Sequence, residues 1–172
     1  DRGPSHPPAG SSPEPHTAMG MRVSINGFGR IGRNVFRVIH QRFPDIEVVH
    51  LNDLTDPATL AHLLKYDSVH GRFPGQVEAG KDFIRVDGKA IAVTAIKDPA
   101  TLPHKANAID MVVESTGIFT TREACQKHVD AGAARVILTV PPKDEVDAMI
   151  VMGVNQEALR PEHRIISNAS CT

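Results

Sequence analysis

The sequence has almost no charge imbalance, only two cysteines and no long apolar run. Its 172 residues carry 19 Lys and Arg against 20 Asp and Glu, a formal net charge of -1. No global field therefore draws the chain to nucleic acid or to an anionic membrane, and any anion site has to be local. No run approaches the roughly 18 apolar residues of a membrane helix, and the N-terminus lacks the apolar stretch of a signal peptide. Cysteines Cys125 and Cys171 sit in unlike contexts and cannot build the disulfide framework of a small secreted domain. A reducing, cytoplasmic setting is the expectation. Neither cysteine lies in a C-x-x-C motif and the 9 histidines show no metal-ligand spacing, so no metal is expected. No internal repeat is present.

What is there is enough apolar sequence, 41%, for one ordinary core. Residues 1–20 are proline- and serine-rich with no core-forming pattern, and are expected to be a disordered leader or tail. An expression leader is favoured over a natural extension, because Met21 opens the first strand-like segment.

Residues 21–172 alternate β-branched runs with helical patterns. This predicts an α/β fold of Rossmann type, a mostly parallel sheet with helices on both faces. Expected strands are 22–26, 46–52, 111–114, 135–140, 148–152 and 164–167. In a helix over 31–42, Ile31, Val35, Val38 and Ile39 are spaced for one buried face. A second helix should start with Asp56 as cap and Pro57 in the first turn and run to about Tyr66. A third is expected over 120–131, stopped by Gly132. Asp87-Gly88 should turn a small antiparallel hairpin between 83–86 and 90–95.

Between the first strand and helix, Gly27, Gly29 and Gly32 are spaced as G-x-G-x-x-G. A dinucleotide site needs glycine at each: Gly27 for a sharp turn, Gly29 for close approach of backbone to a pyrophosphate, Gly32 for tight helix–strand packing. The helix N-terminus then offers unpaired N–H groups to phosphate. A bare glycine-rich turn would share the spacing, but strand, glycines and amphipathic helix come in the required order. Asp53 ends the second strand about twenty residues on, where a carboxylate can accept hydrogen bonds from the adenosine ribose. Like charge there opposes a 2′-phosphate, which favours NAD over NADP.

Four ordered segments, I-N-G-F-G-R-I-G-R-N-V-F-R at 25–37, L-K-Y-D-S-V-H-G-R-F at 64–73, V-V-E-S-T-G-I-F-T-T at 112–121 and I-S-N-A-S-C-T at 166–172, closely resemble the phosphorylating glyceraldehyde-3-phosphate dehydrogenases. The resemblance covers 21–172. It implies cofactor contacts at Gly27, Phe28, Gly29, Arg30, Ile31, Asn52, Asp53, Lys97, Ser115, Thr116, Gly117 and Thr139. It makes Cys171 the catalytic nucleophile, flanked by Ser170 and Thr172 as phosphate-binding residues, with glyceraldehyde 3-phosphate and inorganic phosphate as substrates. Small polar residues after an apolar strand agree with an exposed thiol at Cys171. Cys125 falls on one helical face with Val129 and is assigned no catalysis. His50 and His62 are read as strand and helix residues without a chemical role.

The segment Val140-Pro141-Pro142-Lys143 departs from the alanine-proline-serine or alanine-proline-alanine usual in that family, which leaves the strand end at Thr139 open. The resemblance further implies that a catalytic domain with the base follows Thr172, that the complete enzyme is a homotetramer, and that this chain alone is inactive. Two alternatives stand beside it. One is erythrose-4-phosphate dehydrogenase, which shares nucleophile and cofactor logic. The other is a stand-alone NAD-binding module used for interaction.

Overall fold

The computed structural model describes residues 20–169. The expectations for the N-terminal tail and for Ser170, Cys171 and Thr172 fall outside the described residues.

The chain begins β1 (Met21–Asn26), α1 (Arg30–Arg42), β2 (Ile46–Asn52) and α2 (Pro57–Lys65), continues through the short pairs β3 (Tyr66–Asp67) and β4 (Gly71–Arg72), then β5 (Val77–Ala79), β6 (Phe83–Val86) and β7 (Lys89–Thr94). The second half holds β8 (Met111–Glu114), α3 (Arg122–Asp130), β9 (Arg135–Leu138), β10 (Ala148–Met149) and β11 (Ile165–Ser167). Nine strands form one sheet in the order β10-β11-β9-β8-β1-β2-β7-β6-β5. The six pairings from β10 to β7 are parallel, and β5, β6 and β7 pair antiparallel.

Chain order reverses at β1, which has β2 on one side and β8 on the other. Crossovers that are right-handed in both directions put α1 and α3 on opposite faces. The burial pattern records this at consecutive residues, since Val113 joins the core under α1 and α2 while Val112 joins the one under α3. Helices on both faces are thus as expected.

Local chemistry accounts for the boundaries. Asp56 accepts from Thr59 N at 2.9 Å and caps α2, with Pro57 behind it. Thr121 accepts from Ala124 N at 3.2 Å and caps α3, which moves that helix start from the expected 120 to Arg122. Asp87 and Gly88 have φ of 47° and 83° and turn β6 into β7. The geometry matches a two-residue hairpin with both central residues left-handed.

Three expectations shift. On α1, the buried stripe is Gly32, Phe36 and Arg37 with Val35 and Ile39 partly covered, whereas Ile31 and Val38 are exposed. Aliphatic spacing alone pointed a little off the true face. The arginine is buried because its guanidinium donates to Leu64 O at 2.6 Å and Gly71 O at 3.0 Å. Strand 135–140 ends at Leu138, ahead of Pro141, whose ring cannot donate to a ladder. Strand 148–152 ends at Met149, because the Asn155 side chain takes Val151 N and donates to Met149 O, folding the chain into a turn.

The cap on α3 gives a direct check. Thr121→Ala should cost about 1 kcal/mol, read by denaturant unfolding, while Thr121→Ser should keep most of the stability; equal stability in all three would remove the cap's role.

Candidate dinucleotide crevice

A cavity of about 520 Å³ opens at the carboxyl ends of β1, β2 and β8, where the chain order reverses. Open α/β sheets bind ligands at such a switch point. Its lining includes Gly27, Gly29, Asn52, Asp53, Lys97, Ser115 and Thr116, all named from sequence, together with Asn26, Leu54, Ile96, Ile118 and Phe119. Phe28, Arg30, Ile31 and Gly117 lie beside it in the chain and not in its lining, and Thr139 is also outside the lining, tied to the end of β8 at Glu114.

The three glycines divide the work as the spacing suggested. Gly27 has φ +87°, and a Cβ there would lie 2.7 Å from Thr116 N, so turn and close packing both require glycine. At Gly32 a Cβ would meet Gly27 O at 2.2 Å, which seats α1 directly on the turn. At Gly29 a Cβ would meet nothing within 4 Å. Gly29 is also the N-cap of α1 and supplies no side-chain hydrogen bond, unlike Asp56 and Thr121 at the other two helices. First-turn N–H groups and the helix dipole are thus left for an outside anion, and the backbone is bare where it must come close.

Asp53 is anchored before any ligand arrives: Phe28 N donates to Oδ2 at 2.8 Å and Thr55 N to Oδ1 at 2.9 Å. A carboxylate has about four lone-pair sites, so two remain for hydroxyl donors. Phe28 is buried and its ring packs edge-on against Phe36 at 5.9 Å, which leaves only its main chain for the crevice. Ser115 Oγ donates to Gly27 O at 2.6 Å. Thr139 binds Glu114 O through both N and Oγ1 at 3.1 Å. Lys97 is exposed, and Arg30 turns its side chain toward Asp67 at 3.5 Å.

Sequence reasoning missed the floor. Parallel register places Glu114 opposite Asn26, Asn26 opposite Asn52 and Asn52 opposite Thr94. Asn52 is saturated: its Nδ2 donates to Asn26 Oδ1 and Ile96 O, and its Oδ1 accepts from Thr94 Oγ1 and Ile96 N. One row back, His50 joins Ser24 at 2.8 Å and Thr94 at 2.9 Å. His50, His104 and His128 are all buried. The available signal was a polar residue closing each of three strands, Asn26, Asn52 and Glu114.

Cys125 is buried and its Sγ lies 3.6 Å from Phe119 O. Burial, then the nearby Glu114 carboxylate, pushes its thiol up to about 12. The thiolate form a nucleophile needs is thereby suppressed, in accord with the packing role read from sequence. Among the described residues no group of three or more His, Cys, Asp or Glu could hold a metal ion, and no helix is long and apolar enough to cross a membrane.

With this geometry in place, comparison with known proteins is decisive. Residues 21–122 match the family model for the glyceraldehyde 3-phosphate dehydrogenase NAD binding domain. The chain belongs to that family. It is 59% identical over 152 residues to a glyceraldehyde-3-phosphate dehydrogenase of Thermotoga maritima, covering 88% of this chain and 45% of that protein. Enzymes of the same name from Geobacillus stearothermophilus and Pseudomonas aeruginosa are 57% and 54% identical, each covering 90% of this chain and 46% of their own length. The chain thus spans about half the length of the curated relatives it matches. The matched family domain is the NAD-binding one, so NAD is the cofactor of this Rossmann domain.

Burial fixes how the floor responds to acid. It holds His50 down at about 4, and burial with repulsion from His128 and His50 holds His104 down at about 3. Unfolded histidine titrates near 6.5, so above that pH neither state takes these protons. Below it the unfolded chain takes them first. Stability should fall as pH drops from 6.5 toward 4, by up to about 1.4 kcal/mol per pH unit for each histidine. Denaturant unfolding at pH 7.5, 6.5, 5.5 and 4.5 checks the slope. His50→Gln should flatten it, and an unchanged slope would assign the acid sensitivity elsewhere.

Proposed function

We propose that this chain is the cofactor-holding portion of an enzyme that oxidises and phosphorylates glyceraldehyde 3-phosphate to 1,3-bisphosphoglycerate with NAD and inorganic phosphate in glycolysis. The observation that carries the reading is the pairing of the bare backbone at Gly29 with the uncapped N-terminus of α1. Gly27, Phe28, Gly29, Arg30 and Ile31 offer main chain to the diphosphate. The two unused sites on Asp53 suit adenosine ribose hydroxyls and would meet a 2′-phosphate with like charge. Asn52 acts through its hold on the floor. Ser115 and Thr116 wall the β8 side, Gly117 and Thr139 are assigned to the cofactor from just outside that lining, and Lys97 is assigned to the adenine end. When bound, NAD takes up the hydride removed from the aldehyde carbon.

The covalent chemistry is assigned to Cys171. Its thiolate adds to the aldehyde carbon to give a hemithioacetal. Loss of hydride from that carbon and of the hydroxyl proton to a base leaves a thioester. A phosphate oxygen then attacks the acyl carbon, the C–S bond breaks, and the acyl phosphate leaves with the thiolate restored. Ser170 and Thr172 would bind the phosphate. The relatives carry the glyceraldehyde name, which favours that aldehyde over erythrose 4-phosphate and an enzyme over an interaction module. Cytoplasmic residence and a homotetrameric complete enzyme complete the proposal.

Calorimetry on the purified chain tests the cofactor half. NAD should bind at least tenfold more tightly than NADP, and Asp53→Ala should erase most of the preference. Gly29→Val should abolish binding without loss of thermal stability, since its side chain points into open space. Equal affinities for both dinucleotides, or unchanged NAD affinity in Gly29→Val, would overturn the assignment. The catalytic half is checked by following NADH formation with glyceraldehyde 3-phosphate and phosphate. This chain alone should be silent, and turnover that disappears in Cys171→Ser would relocate the whole activity to these residues.

A further inference from the structure

The crevice is shaped from below by a residue that does not line it. Glu114 closes β8 and is fully buried, as is His128 on α3. Each carboxylate oxygen takes two donors. Thr116 N at 2.9 Å and Thr116 Oγ1 reach Oε1, while Asn26 Nδ2 at 2.6 Å and His128 Nε2 at 2.7 Å reach Oε2. Four donors fill the lone-pair sites of the group, leaving it no freedom to rotate. Asn26 and Thr116 belong to the crevice lining, one closing β1 before the glycine turn and one in the loop that follows β8.

Proton placement follows from the neighbour. His104 Nε2 lies 3.0 Å from His128 Nδ1, and His104 Nδ1 has no partner. If His104 donates to His128 and His128 donates to Glu114, the unpartnered nitrogen is a bare acceptor. The opposite arrangement would strand a buried N–H, the costlier defect. The direction of donation thus runs from His104 through His128 into Glu114.

We propose that Glu114, oriented by His128, is a positioning residue of the dinucleotide crevice, setting Asn26 and Thr116 at the separation the cofactor requires. It acts across the sheet as well, because Asn26 Oδ1 in turn orients Asn52. Glu114→Gln keeps the shape but turns one oxygen into an NH₂ that faces donors on either side. Thr116 or Asn26 must then give way. The inference rests on the cofactor reading above, and its test separates the two.

Affinity for NAD is measured by calorimetry at a temperature where circular dichroism shows every variant folded. Val136→Ala serves as the stability control, since Val136 is buried in the same core as Cys125 and Leu138 but touches neither Glu114 nor His128 through a hydrogen bond. Glu114→Gln should weaken NAD at least tenfold while Val136→Ala stays within twofold of the unaltered chain. His128→Leu should weaken NAD similarly. His128→Gln, which keeps a donor, should recover most of that loss. If Glu114→Gln does not fold, the two His128 variants carry the comparison. Absence of NAD binding in the unaltered chain would overturn the cofactor reading and this one together. Wild-type affinity in Glu114→Gln or His128→Leu, equal losses in Val136→Ala, or no difference between the two His128 variants would overturn the positioning role alone.

Discussion

Parallel pairing puts Glu114, Asn26, Asn52 and Thr94 in one row across four strands, the first three buried and Thr94 half-buried, with His128 of α3 bonded to Glu114 and His104 of the loop before β8 bonded to His128. Buried polar groups left unpaired cost about 1–3 kcal/mol each, so these side chains must satisfy one another or the sheet end cannot close. Spacing makes this possible, since neighbouring strands lie about 4.8 Å apart and one amide can span the gap. A one-residue slip of any strand would break the row and expose the defect to every member. Register, crevice floor and strand ends are therefore parts of a single hydrogen-bonding problem.

A second constraint acts on the other face. Gly32 allows α1 to sit on the carbonyl of Gly27, and the 115–116 peptide packs over Gly27 itself. The turn between β1 and α1 is thus clamped from both sides. Of the three glycines of the turn, Gly29 alone is free of neighbours, and it starts α1 without a side-chain cap. An anion site made this way needs no excess of basic residues, in keeping with a chain of net charge -1.

How much of this could be read from the residues differs by feature. The glycine turn was legible because each glycine's role depends on backbone geometry alone, and backbone geometry is local. Asp56 and the Asp87-Gly88 hairpin were legible for the same reason. The true buried stripe of α1 was not, because a stripe read from aliphatic spacing gives no weight to Phe36 or to an arginine that finds carbonyl partners at Leu64 and Gly71. Nor was the floor, since Glu114 and Asn26 are 88 residues apart and Asn26 and Asn52 are 26 apart. Long-range register decides those contacts, and single residues carry little trace of it. The same holds for His104 and His128, which sequence could place only as unassigned histidines.

The two faces of the sheet are unequally filled. Among the described residues, fifteen buried apolar side chains from β1, β2, β6, β7, β8, α1, α2 and the adjoining turns form one core, and seven around α3 form the other. Among those residues the sheet continues beyond β9 through β11 and the two-residue β10. Local opening follows buried apolar contact, so the molecule has a graded interior. Amide protons of β1, β2 and β7 should outlast those of β10 and β11 in exchange with solvent, and β8, shared by both cores, marks the seam at which a partial unfolding event would stop.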